Sequence, residues 1–164
     1  MNAPGAESEQ MNNSVEALVV VAALIESAGK ILVCQRRKND AFGLKWEFPG
    51  GKVQRGESPA AGLARELKEE LGVEATIGDE LYRTRHRYAE LGREIELIFF
   101  AASAAKNDMR NLAFEQMRWA GPDELAALDF LPADREFVTM LARRVHEHED
   151  PVDIGEDELP GCFQ

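Results

Sequence analysis

Apolar and polar residues recur along this chain with periods that indicate most of its elements. Val15 to Ile25 and Lys30 to Gln35 are apolar, β-branched runs separated by the turn signal Glu26-Ser27-Ala28-Gly29, so together they predict a β-hairpin. Arg36 to Lys45 is polar and predicts a loop. Trp46-Glu47-Phe48 predicts a short strand ending at Pro49-Gly50-Gly51, where glycine permits a tight backbone path. Beyond Ser58 the period becomes helical: Leu63, Leu67 and Leu71, with Ala60 and Ala64, form one apolar stripe. Ser58 suits the N-cap, Pro59 the first helical position and Gly72 the C-terminal stop. Glu74 to Tyr88 and Arg93 to Ala102 predict two long strands joined through Glu90-Leu91-Gly92. A loop at Lys106-Asn107-Asp108, a short strand at Gln116 to Ala120 and a short helix from Pro122 follow. Pro132 to His146 predicts a last amphipathic helix through Phe137, Met140, Leu141 and Val145.

Strands before, between and after helices predict an α/β (α+β) sandwich rather than a doubly wound sheet. A chain of 164 residues, 45% hydrophobic, suffices for one core, assigned here to residues 15–145. The formal charge of −11 changes that picture only at the ends. Residues 1–14 carry two acids and 146–164 carry seven, with no Lys or Arg in either, and both segments read as disordered. The remaining 21 acids face all 19 Lys and Arg in the middle, which is nearly neutral. No basic stripe marks a duplex nucleic acid or anionic membrane as partner. Cys34 and Cys162 are far apart and do not suggest a disulfide, and Met1 to Asn13 lacks the layout of a signal peptide. The expected compartment is the cytoplasm. His146 and His148 read as solvated polar sequence rather than a metal site.

The chemistry is concentrated between Gly51 and Val73, which reads Gly-x5-Glu-x7-Arg-Glu-Leu-x-Glu-Glu-x-Gly-Val. Glu66, Glu69 and Glu70 stand at i, i+3 and i+4 and share one helix face. Alone they would repel each other. Hard divalent cations such as Mg²⁺ turn such a cluster into a site, since they take oxygen ligands and are completed by substrate phosphates.

This segment fits every fixed position of the Nudix box and so resembles the Nudix hydrolase family. The resemblance covers about residues 15–145 and implies an α/β/α sandwich with a mixed sheet between helices. It implies Mg²⁺, with Mn²⁺ as substitute, held by Glu66, Glu69, Glu70 and the carbonyl of Gly50. Glu66 and Glu69 are catalytic candidates, and which carboxylate activates water stays open. Arg65 is a further catalytic candidate, although pairing with Glu57 to hold loop and helix is the stronger reading for both. Gly51 belongs with that support. An additional carboxylate ligand is expected before the strand carrying Trp119; Glu115 is the nearest acid, at a shorter spacing than in relatives.

Trp46-Glu47-Phe48-Pro49-Gly50-Gly51-Lys52 is similar to the lead-in of the MutT-like branch, whose members are nucleoside triphosphate pyrophosphohydrolases. On that resemblance Phe48 is a stacking surface for a base or else a core aromatic, and Lys52 lies beside the substrate. Arg36 and Arg93 match arginines turned towards the nucleotide. Asp134, within Phe130-Leu131-Pro132-Ala133-Asp134, stands where these enzymes place a base-reading group; the alternative is an acid favoured at a helix N-terminus. The expected activity is Mg²⁺-dependent hydrolysis of a (deoxy)nucleoside triphosphate, of cytidine type or 8-oxoguanine type, by a monomer or homodimer that cleans the nucleotide pool. The alternatives are hydrolysis of ADP-ribose, a dinucleoside polyphosphate or capped RNA, and a nucleotide sensor without catalysis.

Overall fold

The computed structural model describes residues 17–146. The expectations for residues 1–14, for the tail from Glu147, and for Cys162 and His148 fall outside the described residues, as do the side chains of Val145 and His146. The elements run β1 (Leu18–Ser27), β2 (Lys30–Gln35), β3 (Trp46–Glu47), β4 (Gly50–Lys52), α1 (Pro59–Leu71), β5 (Thr76–Tyr88), β6 (Arg93–Ser103), β7 (Gln116–Ala120), α2 (Pro122–Leu125) and α3 (Arg135–His146). Short 3₁₀ turns occupy Ala89–Leu91, Lys106–Asp108 and Pro132–Asp134.

β1 is the axis of a mixed sheet. It pairs in parallel with β6, antiparallel with β4, and forms the predicted hairpin with β2, closed by Ala28 and Gly29 at φ 50° and 71°. Positive φ at both central positions matches the right-handed twist of the strands. β5 and β6 form an antiparallel ribbon, and β2 carries both β3 and β7.

Alternation along the strands divides the interior into two layers. Val21, Ala23 and Ile25 of β1, Leu32 and Cys34 of β2, and Ile98 and Phe100 of β6 face α1, where Leu63, Leu67 and Leu71 are fully buried. Ala22, Leu24, Ile31, Val33, Leu97 and Phe99 point the other way, against Phe137, Val138 and Leu141 of α3. The result is the expected α/β/α sandwich. Each leucine of the α1 stripe contributes about 1.5–3 kcal/mol through burial, so the helix face opposite the stripe is held in register by packing.

The last helix, expected from Pro132, starts at Arg135 after the 3₁₀ turn, β1 continues through Ser27 where a turn was expected, and two more differences lie around β4. Phe48 lies outside β3, and Gly50–Lys52, expected only as a tight path, is a strand of its own against β1. Glycine makes that pairing possible: at Gly50, φ is 155°, and a Cβ would lie 2.8 Å from the Ala22 Cα and 2.9 Å from the Val21 carbonyl carbon. Among the described residues, no helix is long and apolar enough to cross a membrane.

Candidate active site

α1 is fixed at both ends, which fixes its acidic face. The Ser58 hydroxyl accepts the Ala61 N–H at 3.1 Å, and Gly72, at φ 68°, donates its N–H to the Lys68 carbonyl. The carbonyls of Glu70 and Leu71, orphaned by the helix end, accept N–H bonds from Leu112 and Arg110. The stripe turns one face to the sheet, and the carboxylates of Glu66, Glu69 and Glu70 emerge beside β4.

Each carboxylate has a different neighbour. Gly50 donates its N–H to Glu70 Oε2 at 3.0 Å. Glu66 lies directly on Gly51, where a Cβ would come within 2.6 Å of both carboxylate oxygens. Glu69 is the most open of the three, its side chain 57% exposed against 16% for Glu66. Arg65 grips Glu57 with two bonds, Nε to Oε1 at 2.6 Å and Nη2 to Oε2 at 3.1 Å. It also donates to Glu66 at 2.9 Å, to Glu69 at 3.4 Å and to the Lys52 carbonyl at 3.0 Å. Glu57 in turn accepts the Gln54 N–H at 2.9 Å. These bonds, first those from Arg65, hold the Glu57 carboxyl below its ordinary range. Arg65 thus ties the loop after β4 to the helix; every one of its donors is spent on the protein itself.

Burial pushes the Glu70 carboxyl up to about 9, opposed by the Gly50 N–H and reinforced by the charges of Glu47, Glu66 and Glu69. A carboxyl raised chiefly by burial, and further by the acids around it, is a hard oxygen donor whose charged form a divalent cation would stabilise. Among the described residues, however, no three acidic, His or Cys side chains converge on one point. Arg65 draws Glu66 and Glu69 towards itself, while Glu70 bonds Gly50.

A cavity of about 300 Å³ opens next to this face. It is lined by Glu70, Gly50, Gly51 and Lys52, by Ala133 and Asp134, and by the apolar Val20, Ile95, Leu97 and Leu131. Asp134 closes the 3₁₀ turn Pro132–Asp134 and is only 3% exposed. Burial first, then the nearby Glu47 charge, raises its carboxyl well above the usual range, with Arg36 opposing. The Tyr88 hydroxyl accepts the Ala133 N–H at 3.3 Å and so anchors that turn to the end of β5.

Of the residues expected to meet substrate, Arg36, Phe48, Lys52 and Asp134 all line this cavity. Two of them arrive already engaged. Arg36 donates from Nη1 to Glu47 at 3.0 and 3.2 Å and from Nε to the Ala41 carbonyl at 2.7 Å, so these two nitrogens are spent on the protein. Phe48 is 3% exposed and lies nearly parallel to Phe130 at 5.4 Å, with Phe99 and Phe137 at its edges, which makes it a core aromatic in the cavity floor. Arg93 does not line the cavity; it is exposed at the start of β6, opposite Tyr88. Glu115 is exposed just before β7, its N–H bonded to the Gln35 carbonyl, and it does not line the cavity.

Sequence reasoning missed Glu47, Phe42 and Tyr88. Glu47 shares the cavity wall, and burial raises its carboxyl against the pull of Arg36. The one signal for Phe42 was an aromatic residue in an otherwise polar loop; Tyr88 looked like any strand end.

The NUDIX domain model matches residues 16–141. A CTP pyrophosphohydrolase of Escherichia coli K12 is 41% identical over 116 residues, covering 70% of this chain and 84% of that one. A putative 8-oxo-dGTP diphosphatase 2 of Mycobacterium tuberculosis H37Rv is 33% identical over 135 residues, covering 78% of this chain and 90% of that one. Among solved structures, the MutT protein of Methanosarcina mazei Go1 superposes with a TM-score of 0.70 at 25% identity, covering 80% of this chain and 99% of that one.

Proposed function

The chain belongs to the Nudix hydrolase family, and from that premise we propose that it hydrolyses a nucleoside or deoxynucleoside triphosphate, with tolerance for a modified base, to the monophosphate and pyrophosphate. One observation carries the choice of substrate: a single cavity joins a carboxylate face suited to phosphates with a buried acid suited to a base. Its apolar walls match a nucleoside, and its volume lies at the lower end for small-molecule sites. The names of the relatives, a CTP pyrophosphohydrolase and a putative 8-oxo-dGTP diphosphatase, support the same class.

Nudix hydrolases use divalent cations, and here the ion is Mg²⁺, with Mn²⁺ as substitute. Glu66, Glu69, Glu70 and the Gly50 carbonyl would hold it. When bound, it supplies positive charge to the phosphates and acidifies water. Glu69, the most exposed of the three and held by Arg65 at 3.4 Å where Glu66 is held at 2.9 Å, is the carboxylate freest to take a proton from an attacking water. Lys52 places a cation at the mouth beside the phosphates. Asp134, its carboxyl pushed up by burial, is the polar group that this cavity offers to a base edge. Arg65 acts through its neighbours, holding Glu57 and Glu66 in place. The role follows as removal of unwanted nucleotides from a cytoplasmic pool.

A panel of nucleotides with Mg²⁺, resolved by ³¹P NMR, tests this reading. Pyrophosphate and monophosphate should appear from a triphosphate. Turnover confined to ADP-ribose, a dinucleoside polyphosphate or capped RNA would replace the substrate class, and binding without turnover would replace the enzyme with a sensor.

A further inference from the structure

Three aromatic rings line the cavity, and two are occupied by the protein. Phe48 is sandwiched in the core as described. Tyr88 is 6% exposed, with the His86 ring at 4.6 Å and its hydroxyl bonded by Ala133. Phe42 differs from both. It is half-buried, and its one ring neighbour is Tyr88 at 5.1 Å, tilted by 49°. Because Tyr88 bonds the residue beside Asp134, Phe42 is linked through Tyr88 to the turn that carries Asp134.

The loop holding Phe42 is built to fix this ring. Phe42 and Leu44 adopt φ of 56° and 65°, uncommon for side chains of this size, and such residues persist only where surroundings enforce them. Here they do. The Arg36 N–H and carbonyl bond Lys45 and Leu44, the Lys45 N–H bonds the Phe42 carbonyl, and the Arg36 guanidinium clasps the Ala41 carbonyl from its seat on Glu47. At Gly43 a Cβ would come 2.8 Å from the Lys38 carbonyl carbon and 3.0 Å from the Arg37 oxygen, so the loop closes that tightly only with glycine.

We propose that Phe42 is the surface on which the substrate's base stacks, and that the Arg36–Glu47 clasp positions it. The inference rests on the nucleotide reading of the cavity. It moves the stacking role from Phe48, whose face is taken, to a ring that sequence placed in a loop. Arg36 becomes a positioning residue.

Steady-state kinetics on Phe42→Ala and Phe42→Leu, with a nucleoside triphosphate and with base-free ribose triphosphate, tests it. Both variants should raise KM for the nucleotide roughly tenfold, the scale of one base on one aromatic ring, with kcat within about twofold. KM for the base-free compound should not move, and Phe42→Tyr should restore nucleotide KM. An unchanged nucleotide KM, or an equal rise for both compounds, overturns the proposal. Should wild-type enzyme turn over no nucleotide, the reading beneath it fails; an active wild type with indifferent variants removes the stacking role alone.

Discussion

Two adjacent glycines, Gly50 and Gly51, should respond to the same added methyl group to different degrees and for different reasons. At Gly51 the new Cβ would fall 2.6 Å from both oxygens of Glu66, the far end of a flexible side chain that can swing aside. Swinging aside breaks its 2.9 Å bond to Arg65, a charge-assisted contact at a partly solvated position, worth about 1 kcal/mol. Gly51→Ala should therefore lose about 1 kcal/mol of stability. Its rate should fall by about 100-fold or more, because a carboxylate has been moved at the phosphate end of the cavity. At Gly50 the obstacles are the backbone atoms of Val21 and Ala22, which belong to the central strand and cannot yield. Gly50→Ala should lose about 3 kcal/mol or more, as overpacking and backbone strain act together. Urea unfolding at pH 7 and pyrophosphate release at saturating nucleotide and Mg²⁺ separate the two effects. A Gly51→Ala enzyme with wild-type turnover and Mg²⁺ dependence would refute the placement of Glu66.

Arg65→Lys removes the two-bond grip on Glu57 without removing the charge, so it should lose about 1–2 kcal/mol in urea unfolding and slow turnover about tenfold or more; wild-type values on both would reduce Arg65 to a surface charge. Asp134 gives a pH signature. Its carboxyl is raised in the folded state, so native protein holds the proton that the unfolded chain releases near pH 3.9, and the wild type loses stability as pH rises above that point. Asp134→Asn, which does not titrate, should match the wild type in stability near pH 3 and gain on it steadily above pH 4 until the native carboxyl itself ionises; a difference constant with pH would contradict the burial. The same substitution should change preference among bases more than it changes kcat.

The carboxylate face was legible because helix geometry is local. Once Leu63, Leu67 and Leu71 are buried, Glu66, Glu69 and Glu70 have only one side to occupy. Asp134 and Lys52 were found through resemblance alone, and the fold brought them to the lining of one cavity. Glu115 and Arg93 were also nominated by resemblance, and neither lines that cavity, because a family pattern does not record where a turn places its side chains.

The sequence by itself determined most of the elements, the sandwich class and the acidic face, since periodicity, caps and i, i+4 neighbours depend on residues close in the chain. Only the tertiary structure decided which side chains remain free for a ligand. Arg36 is taken by Glu47, 11 residues away, and Phe48 by Phe130 and Phe137 from the far end of the fold. Phe42 is left facing the cavity by a loop whose shape depends on that same clasp. Availability is set by contacts across the whole chain, and no local pattern records it.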